Sequence, residues 1–206
     1  MTKIIKKLTV FTLLILFNIN TSVMASNLYE EEKIKNFMNG IGNATINLLS
    51  DQSQDDEAKI QKLNDLFKRV VNIKWIGDFS LGRYIRNITP EQHIRYDAVF
   101  SKFLVNNYVS NFRKFTKESF VIERVSLYKE NQYMVYTSIN RPSKPPLKVN
   151  YLVRPDTKRK GEYIIHDIIA EGVSLITTER TEFGSILANS DIEFLISELQ
   201  KRTESN

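Results

Sequence analysis

Apolar residues recur at helical spacing through the first half of the chain and at every second position beyond Lys117. Ile34, Phe37, Met38, Ile41, Leu48 and Leu49 share one face of a helix over 29–49, although Gly40 and Gly42 weaken its middle. A polar, acidic stretch at 51–57 separates it from a second helical pattern, Ile60, Leu63, Leu66, Phe67, Val70 and Val71. Trp75, Ile76, Phe79 and Leu81 begin a third that ends near Asn87. The fourth has the plainest start. Thr89-Pro90-Glu91-Gln92 puts threonine at the N-cap, proline at the first helical position and glutamine where its amide can reach back to the cap. Its stripe of Tyr96, Phe100, Phe103, Leu104, Tyr108, Phe112 and Phe115 is unusually aromatic.

Past Lys117 the period of two predicts four strands, over 120–128, 132–140, 147–154 and 163–170. Glu130-Asn131 suits a tight hairpin, 141–146 is a proline-stiffened loop, and 155–161 forms a basic third turn. Short turns between successive strands imply an antiparallel meander. Leu147, Val149, Tyr151 and Val153 lie on one face of the third strand, opposite Lys148, Asn150 and Arg154. One face of the sheet must therefore be covered, and the helices are what can cover it. Helical patterns at 177–188 and 191–202 close the chain. The expected fold class is α+β: N-terminal helices, a twisted antiparallel sheet of about four strands, C-terminal helices, and an apolar pocket between sheet and helices.

The first 25 residues read differently from the rest. Lys3, Lys6 and Lys7 precede the apolar run 8–19, and Val23 and Ala25 stand where a signal peptidase reads small residues. The run is too short to span a bilayer, which takes ~20 residues. A signal peptide over 1–25, cleaved after Ala25, and a single domain over 26–206 are expected, with export to a periplasm-like compartment. Removing the three lysines lowers the formal charge from +5 to +2, too little for a nucleic-acid footprint. The absence of cysteine excludes disulfide scaffolds, thiolate metal sites and thiol nucleophiles.

No sequence signature of catalysis is present: no G-x-S-x-G, no H-E-x-x-H and no glycine-rich phosphate loop. His166 adjoins Asp167, but strand neighbours point to opposite faces, so the two are not expected to act as a pair. His93 is expected to face solvent. Neither a metal nor a cofactor is expected. The basic residues Arg141, Lys144 and Lys148, and Lys158, Arg159 and Lys160, gather on sheet-end turns. They are either simple loop solvation or a docking surface. The surplus of aromatics fits either a filled core or a lined cavity, with tyrosine tipping toward a cavity whose mouth meets a polar group.

Two segments resemble a known family. Leu81-Gly82-Arg83-Tyr84-Ile85-Arg86-Asn87-Ile88-Thr89-Pro90-Glu91-Gln92 and Asp167-Ile168-Ile169-Ala170-Glu171-Gly172-Val173-Ser174-Leu175 are similar to conserved segments of the MlaC/toluene-tolerance family, with Arg180, Phe183, Ile186 and Leu187 following in step. The chain departs from the family at Ile85, where an aromatic is common, and at His166, where tyrosine often precedes the aspartate. The resemblance implies a periplasmic phospholipid carrier that maintains outer-membrane lipid asymmetry. Its partners would be a diacyl phospholipid as cargo, an inner-membrane ABC transporter with an MCE-domain ring, and an outer-membrane lipoprotein–porin complex.

On that reading Phe79, Tyr84, Phe100, Phe103, Leu104 and Tyr108 from helices, and Val135, Val149, Tyr151 and Ile168 from strands, are candidate lipid-binding residues. Val173, Leu175 and Ile176 would close the mouth, and Lys144, Lys158, Arg159 and Lys160 would meet the partners. Two other readings stay open. One is a small periplasmic isomerase or hydrolase using Asp167 or Glu171 in an apolar pocket, and the other is an interaction module with a filled core.

Overall fold

The computed structural model describes residues 27–112, 119–142 and 144–204. The expected signal peptide and its cleavage point lie outside them, as does Phe115. Helix α1 spans 27–50. Asp55 then caps α2 (Asp56–Val70), its carboxylate accepting from the Ala58 amide at 2.7 Å. Helix α3 (Ile73–Leu81) starts on the Asn72 side chain and stops at Gly82, whose φ of 56° favours glycine. The third helical stretch is therefore shorter than its periodicity suggests, because Gly82–Asn87 tightens into a 3₁₀ turn.

The capping box forms: the Gln92 side chain accepts from the Thr89 amide at 2.9 Å, and the Gln92 amide donates to the Thr89 hydroxyl at 3.2 Å. It opens α4 (Pro90–Phe112).

Strands β1 (Ser119–Lys129), β2 (Gln132–Arg141), β3 (Lys144–Pro155), β4 (Tyr163–Ala170) and β5 (Val173–Ser174) form one antiparallel meander in the order β1-β2-β3-β4-β5. Tyr151 of β3 pairs with Val135 of β2 and Ile168 of β4. The sequence pattern missed β5, which is two residues long and carries no detectable alternation. It also placed Pro145 and Pro146 in a loop, whereas both lie in β3. They sit between the Arg141–Lys144 and Ile139–Leu147 pairs, beyond the end of β4, where a proline forfeits no ladder bond to that side. The chain ends with α5 (Leu175–Asn189) and α6 (Ile192–Glu204).

The main core lies among α3, α4, α5 and α6. Tyr96, Phe100 and Phe103 meet Phe183 of α5 at ring separations of 6.5, 6.0 and 6.4 Å, and Leu195 and Leu199 of α6 are fully buried. Helices α1 and α2 join the same core through Ile34, Met38, Leu63 and Phe67, the last stacked on Tyr108 of α4, and also reach the sheet. Val71 bridges in parallel to Ile165, and the Asn72 amide donates to the Ile165 carbonyl at 2.8 Å, fixing the end of α2 to β4. Near its start α1 is held by the Tyr163 hydroxyl, which donates to Glu30 at 2.6 Å, and by Phe37 packing on the Tyr163 ring.

Candidate functional site

Between the sheet and the α1–α2 pair lies a cleft with about 870 Å³ of atom-free space, its open mouth included. Met38, Ile41, Gly42, Thr45, Ile46 and Leu49 of α1 form one wall, and Leu63, Leu66, Phe67 and Val70 of α2, with Val71, form a second. The sheet supplies Ser119, Phe120, Ile139, Tyr151, Ile165 and Ile168, and α4 contributes Val109. Only about 110 Å³ of this is wide enough to admit a water-sized sphere, against roughly 300–1,000 Å³ for a formed small-molecule site. A large guest must therefore part the walls. Gly42 shows how closely they meet, since a Cβ there would collide with the Phe120 ring, which packs in turn at 6.4 Å on Tyr151.

Of the residues singled out from sequence, Tyr151 and Ile168 line this cleft. Phe100, Phe103 and Leu104 are buried in the helical core, where the aromatic stripe of α4 turns toward α5 and α6. Tyr108 stacks on Phe67 at 6.4 Å and so stands behind the cleft wall. Phe79 stacks on Trp75 at 5.2 Å beneath the Arg180 guanidinium, and Tyr84 is half-buried beside Arg83. Val135 and Val149 are buried within the sheet, while Leu175 and Ile176 are buried at the start of α5.

Val173 is 62% exposed and lines no part of the cleft. The helical wall that sequence reasoning missed comes from α1 and α2. Their Ile, Leu and Met stripes were legible as inward faces, but nothing in a period of 3.6 says which inward face borders a void.

Among the polar groups of the wall, the Tyr151 hydroxyl stands out. Burial pushes its pKa up to about 12, and it bonds to no protein group among the described residues. Thr45 and Ser119 are the other hydroxyls of the lining.

Apart from Ile168, which lines the cleft, the two segments that carry the family resemblance are architectural. The Ser174 hydroxyl and the Ile176 amide both donate to the Asp167 carboxylate, at 2.7 and 3.2 Å, so this aspartate clamps the first turn of α5. Its pKa is raised by burial, against which these hydrogen bonds act. Glu171, at φ 49°, closes the β4–β5 turn by accepting from the Lys148 amide at 2.7 Å. Arg180 donates to the Phe79 carbonyl at 2.9 Å, where its guanidinium would crowd any Cβ at position 82. Thus Gly82, within the first segment, and Arg180, shortly past the second, meet in space.

His166 and Asp167 diverge as strand neighbours should. The imidazole packs edge-on to Trp75 at 4.6 Å with Nε2 3.3 Å from the Asn72 amide nitrogen, and burial, with Arg154 adding to it, lowers its pKa to about 4. It sits on the wall of a second, wider groove that also carries Lys68, Arg69, Arg154, Lys158 and Arg159. Arg159 is already engaged by Asp156, by Glu162 and by the Arg69 carbonyl, so it anchors its loop; Lys144, Lys158 and Lys160 are exposed.

His93 does not face solvent freely. Its Nε2 lies in hydrogen-bond contact with the Asp78 carboxylate at 2.7 Å, where α3 and α4 pack side by side. Asp78, His93 and Asp97 make the one metal-capable trio among the described residues, and the Lys74 ammonium already bridges both carboxylates, at 3.5 and 2.9 Å.

An antiparallel meander wrapped by helices, with an apolar cleft between the layers, places this chain among the α+β folds whose layers enclose an apolar space. Residues 41–201 match the family model described as MlaC protein, so the chain belongs to the MlaC family. It is similar to the intermembrane phospholipid transport system binding protein MlaC of Haemophilus influenzae, at 23% identity over 140 residues. That alignment takes in 67% of this chain and 64% of that protein. The fold also matches a phospholipid-binding protein of Ralstonia solanacearum, solved with a phospholipid bound. The TM-score is 0.67 and the identity 16%, over 85% of this chain and 97% of that one.

Proposed function

We propose that this protein is a periplasmic phospholipid carrier, taking a diacyl lipid between inner-membrane and outer-membrane complexes without catalysing a reaction on it. The observation that carries the reading is the apolar cleft between α1, α2 and the sheet, in a chain that belongs to the MlaC family. Each exposed methylene costs ~0.8 kcal/mol, so carrying two chains of about 15 carbons through water costs on the order of 20 kcal/mol unless they are enclosed. Enclosure offsets that cost, and since the donor bilayer is equally apolar, transfer in and out of the cleft is close to neutral. Direction then comes from the partners.

The inner-membrane ABC transporter with its MCE-domain ring and the outer-membrane lipoprotein–porin complex are the partners this reading requires. The exposed lysines Lys144, Lys158 and Lys160 are the groups offered for the encounter, and a leader over 1–25 provides export. Against the enzyme reading, Asp167 and Glu171 are spent on backbone and hydroxyl donors that hold the β4–β5–α5 corner, and neither borders the cleft.

Native mass spectrometry and lipid extraction of the protein after mild purification from a bacterium test the proposal. A diacyl phospholipid at one copy per chain is expected. Recovery of apoprotein alone would overturn the carrier reading. His166→Ala should leave lipid content unchanged, and loss of function in that variant while it remains folded and loaded would return the enzyme reading to consideration.

A further inference from the structure

Tyr151 is a costly choice for its position if enclosing hydrocarbon is all the cleft does. Phenylalanine would fill the same volume and keep the same packing on Phe120, without bringing in a hydroxyl. Tyr151 is half-buried and its oxygen bonds to no protein group among the described residues, so a hydrocarbon guest that cut this hydroxyl off from water without offering a partner would cost about 1–3 kcal/mol. A lone water would restore the balance only with two to four polar neighbours, whereas the lining is otherwise hydrocarbon except for Thr45 and Ser119. The hydroxyl remains a donor throughout the physiological range, since burial holds its pKa near 12. The group it suits is an acceptor brought in by the guest itself.

In an acyl lipid the acceptors nearest the hydrocarbon are the ester carbonyls at the head of each chain. We infer that the Tyr151 hydroxyl donates a hydrogen bond to an ester carbonyl of the bound lipid, so that the cleft selects ester-linked over ether-linked chains and fixes how deep the chains descend. This rests on the carrier reading and adds to it a chemical class of cargo. The position on β3 supports a positioning role. Tyr151 is held between Val135 and Ile168 in the middle of the sheet, on a wall that cannot shift as a helix can, so it marks a fixed depth against which α1 and α2 adjust.

The test is a competition. The full-length mature protein and its Tyr151→Phe variant are each incubated with vesicles holding equal amounts of diacyl and dialkyl phosphatidylethanolamine, matched in chain length and head group. The captured lipids are then counted by mass spectrometry. Wild type should hold the ester lipid in preference by about threefold to tenfold, the worth of one neutral hydrogen bond. Tyr151→Phe should capture the two lipids at a ratio near one, its loss falling on the ester lipid, with thermal unfolding unchanged or slightly raised. Equal capture of both lipids by wild type, or a preference that survives in Tyr151→Phe, overturns the inference and leaves the carrier reading intact. Capture of neither lipid overturns both.

Discussion

The Ser174 hydroxyl donates to the Asp167 carboxylate at 2.7 Å while the same hydroxyl accepts from the Thr177 amide at 3.2 Å. One serine thus joins the last long strand to the N-terminal turn of α5, as N-cap and as strand ligand together. Removing either partner leaves buried donors or a buried carboxylate exposed to no water. Asp167→Ala should lower unfolding stability by about 1–3 kcal/mol and Ser174→Ala by about 0.5–2 kcal/mol. Urea denaturation of the two single variants and the double variant checks this, and the double should fall short of the sum because the two share one contact.

The position of the cleft yields a contrast between two apolar residues. Ile168 lines it and Val173 lies outside it, exposed. Ile168→Glu should strip the purified protein of lipid, because an unpaired carboxylate in a dry cavity costs several kcal/mol or draws in water. Val173→Glu should retain lipid at the wild-type level. Equal loss in both variants, measured as phospholipid phosphorus per chain, would sink the assignment of the walls.

Glu179 introduces a pH dependence inside the helical core. It projects from α5 toward Tyr96 and Tyr108 of α4, with Glu182 on its own helix and Arg202 on α6 nearby, and one of its oxygens is buried without a partner. Burial, with Glu182 adding to it, raises its pKa from 4.5 to about 7. Below pH 4.5 both folded and unfolded states hold the proton and Glu179 contributes nothing to the pH slope. Between 4.5 and 7 the folded state holds more protons, so stability falls as pH rises, and the penalty is complete above 7. Glu179→Gln should be more stable than wild type at pH 8, by on the order of 2 kcal/mol, with the difference vanishing near pH 4.

His166 works in the opposite sense. Its folded pKa of about 4 lies below the ordinary 6.5, so acidification from 6.5 toward 4 protonates the unfolded chain first and stability declines. The expected signature is a fall in melting temperature over that window that His166→Leu abolishes.

Charge reversal tests the docking role proposed for the sheet-end loops. Changing Lys144, Lys158 and Lys160 together to Glu should slow association with a reconstituted inner-membrane transporter, and added salt should slow the unmutated protein in the same way. Lipid content should not change. Arg159 belongs outside this set, because its pairs with Asp156 and Glu162 brace the β3–β4 turn and its loss should cost stability instead. An unchanged association rate for the triple variant would return these loops to plain solvation.

The change from helix in α4 to strand in β1, the capping box at Thr89 and the alternation of β3 were all legible because each is a short-range pattern. What the sequence could not disclose was which inward faces meet a filled core and which meet a space. The aromatic stripe of α4 and the aliphatic stripes of α1 and α2 carry the same period, and only the tertiary arrangement sends the first to α5 and α6 and the second to the cleft. Gly42 illustrates the limit. From its own helix it is a weak point, and its purpose becomes visible only when Phe120 arrives from the sheet. The hydrogen bonds that explain the two family segments are likewise long-range, and the sequence showed the segments without their reasons.

The cleft opens directly off the core, since Met38, Leu63, Phe67 and Val109 line the space and are buried in one cluster with Phe100, Phe183 and Leu195, so in these residues capacity and stability are coupled. Enlarging Leu63 or shrinking Met38 alters what fits between α1, α2 and β3 but disturbs close packing at the same stroke, whereas the half-buried Ile46, Leu49 and Leu66 line the space from the edge of that cluster. Descendants of such a sequence have room to retune the length or number of chains they accept by drifting at these half-buried positions, with the fully buried cluster left in place.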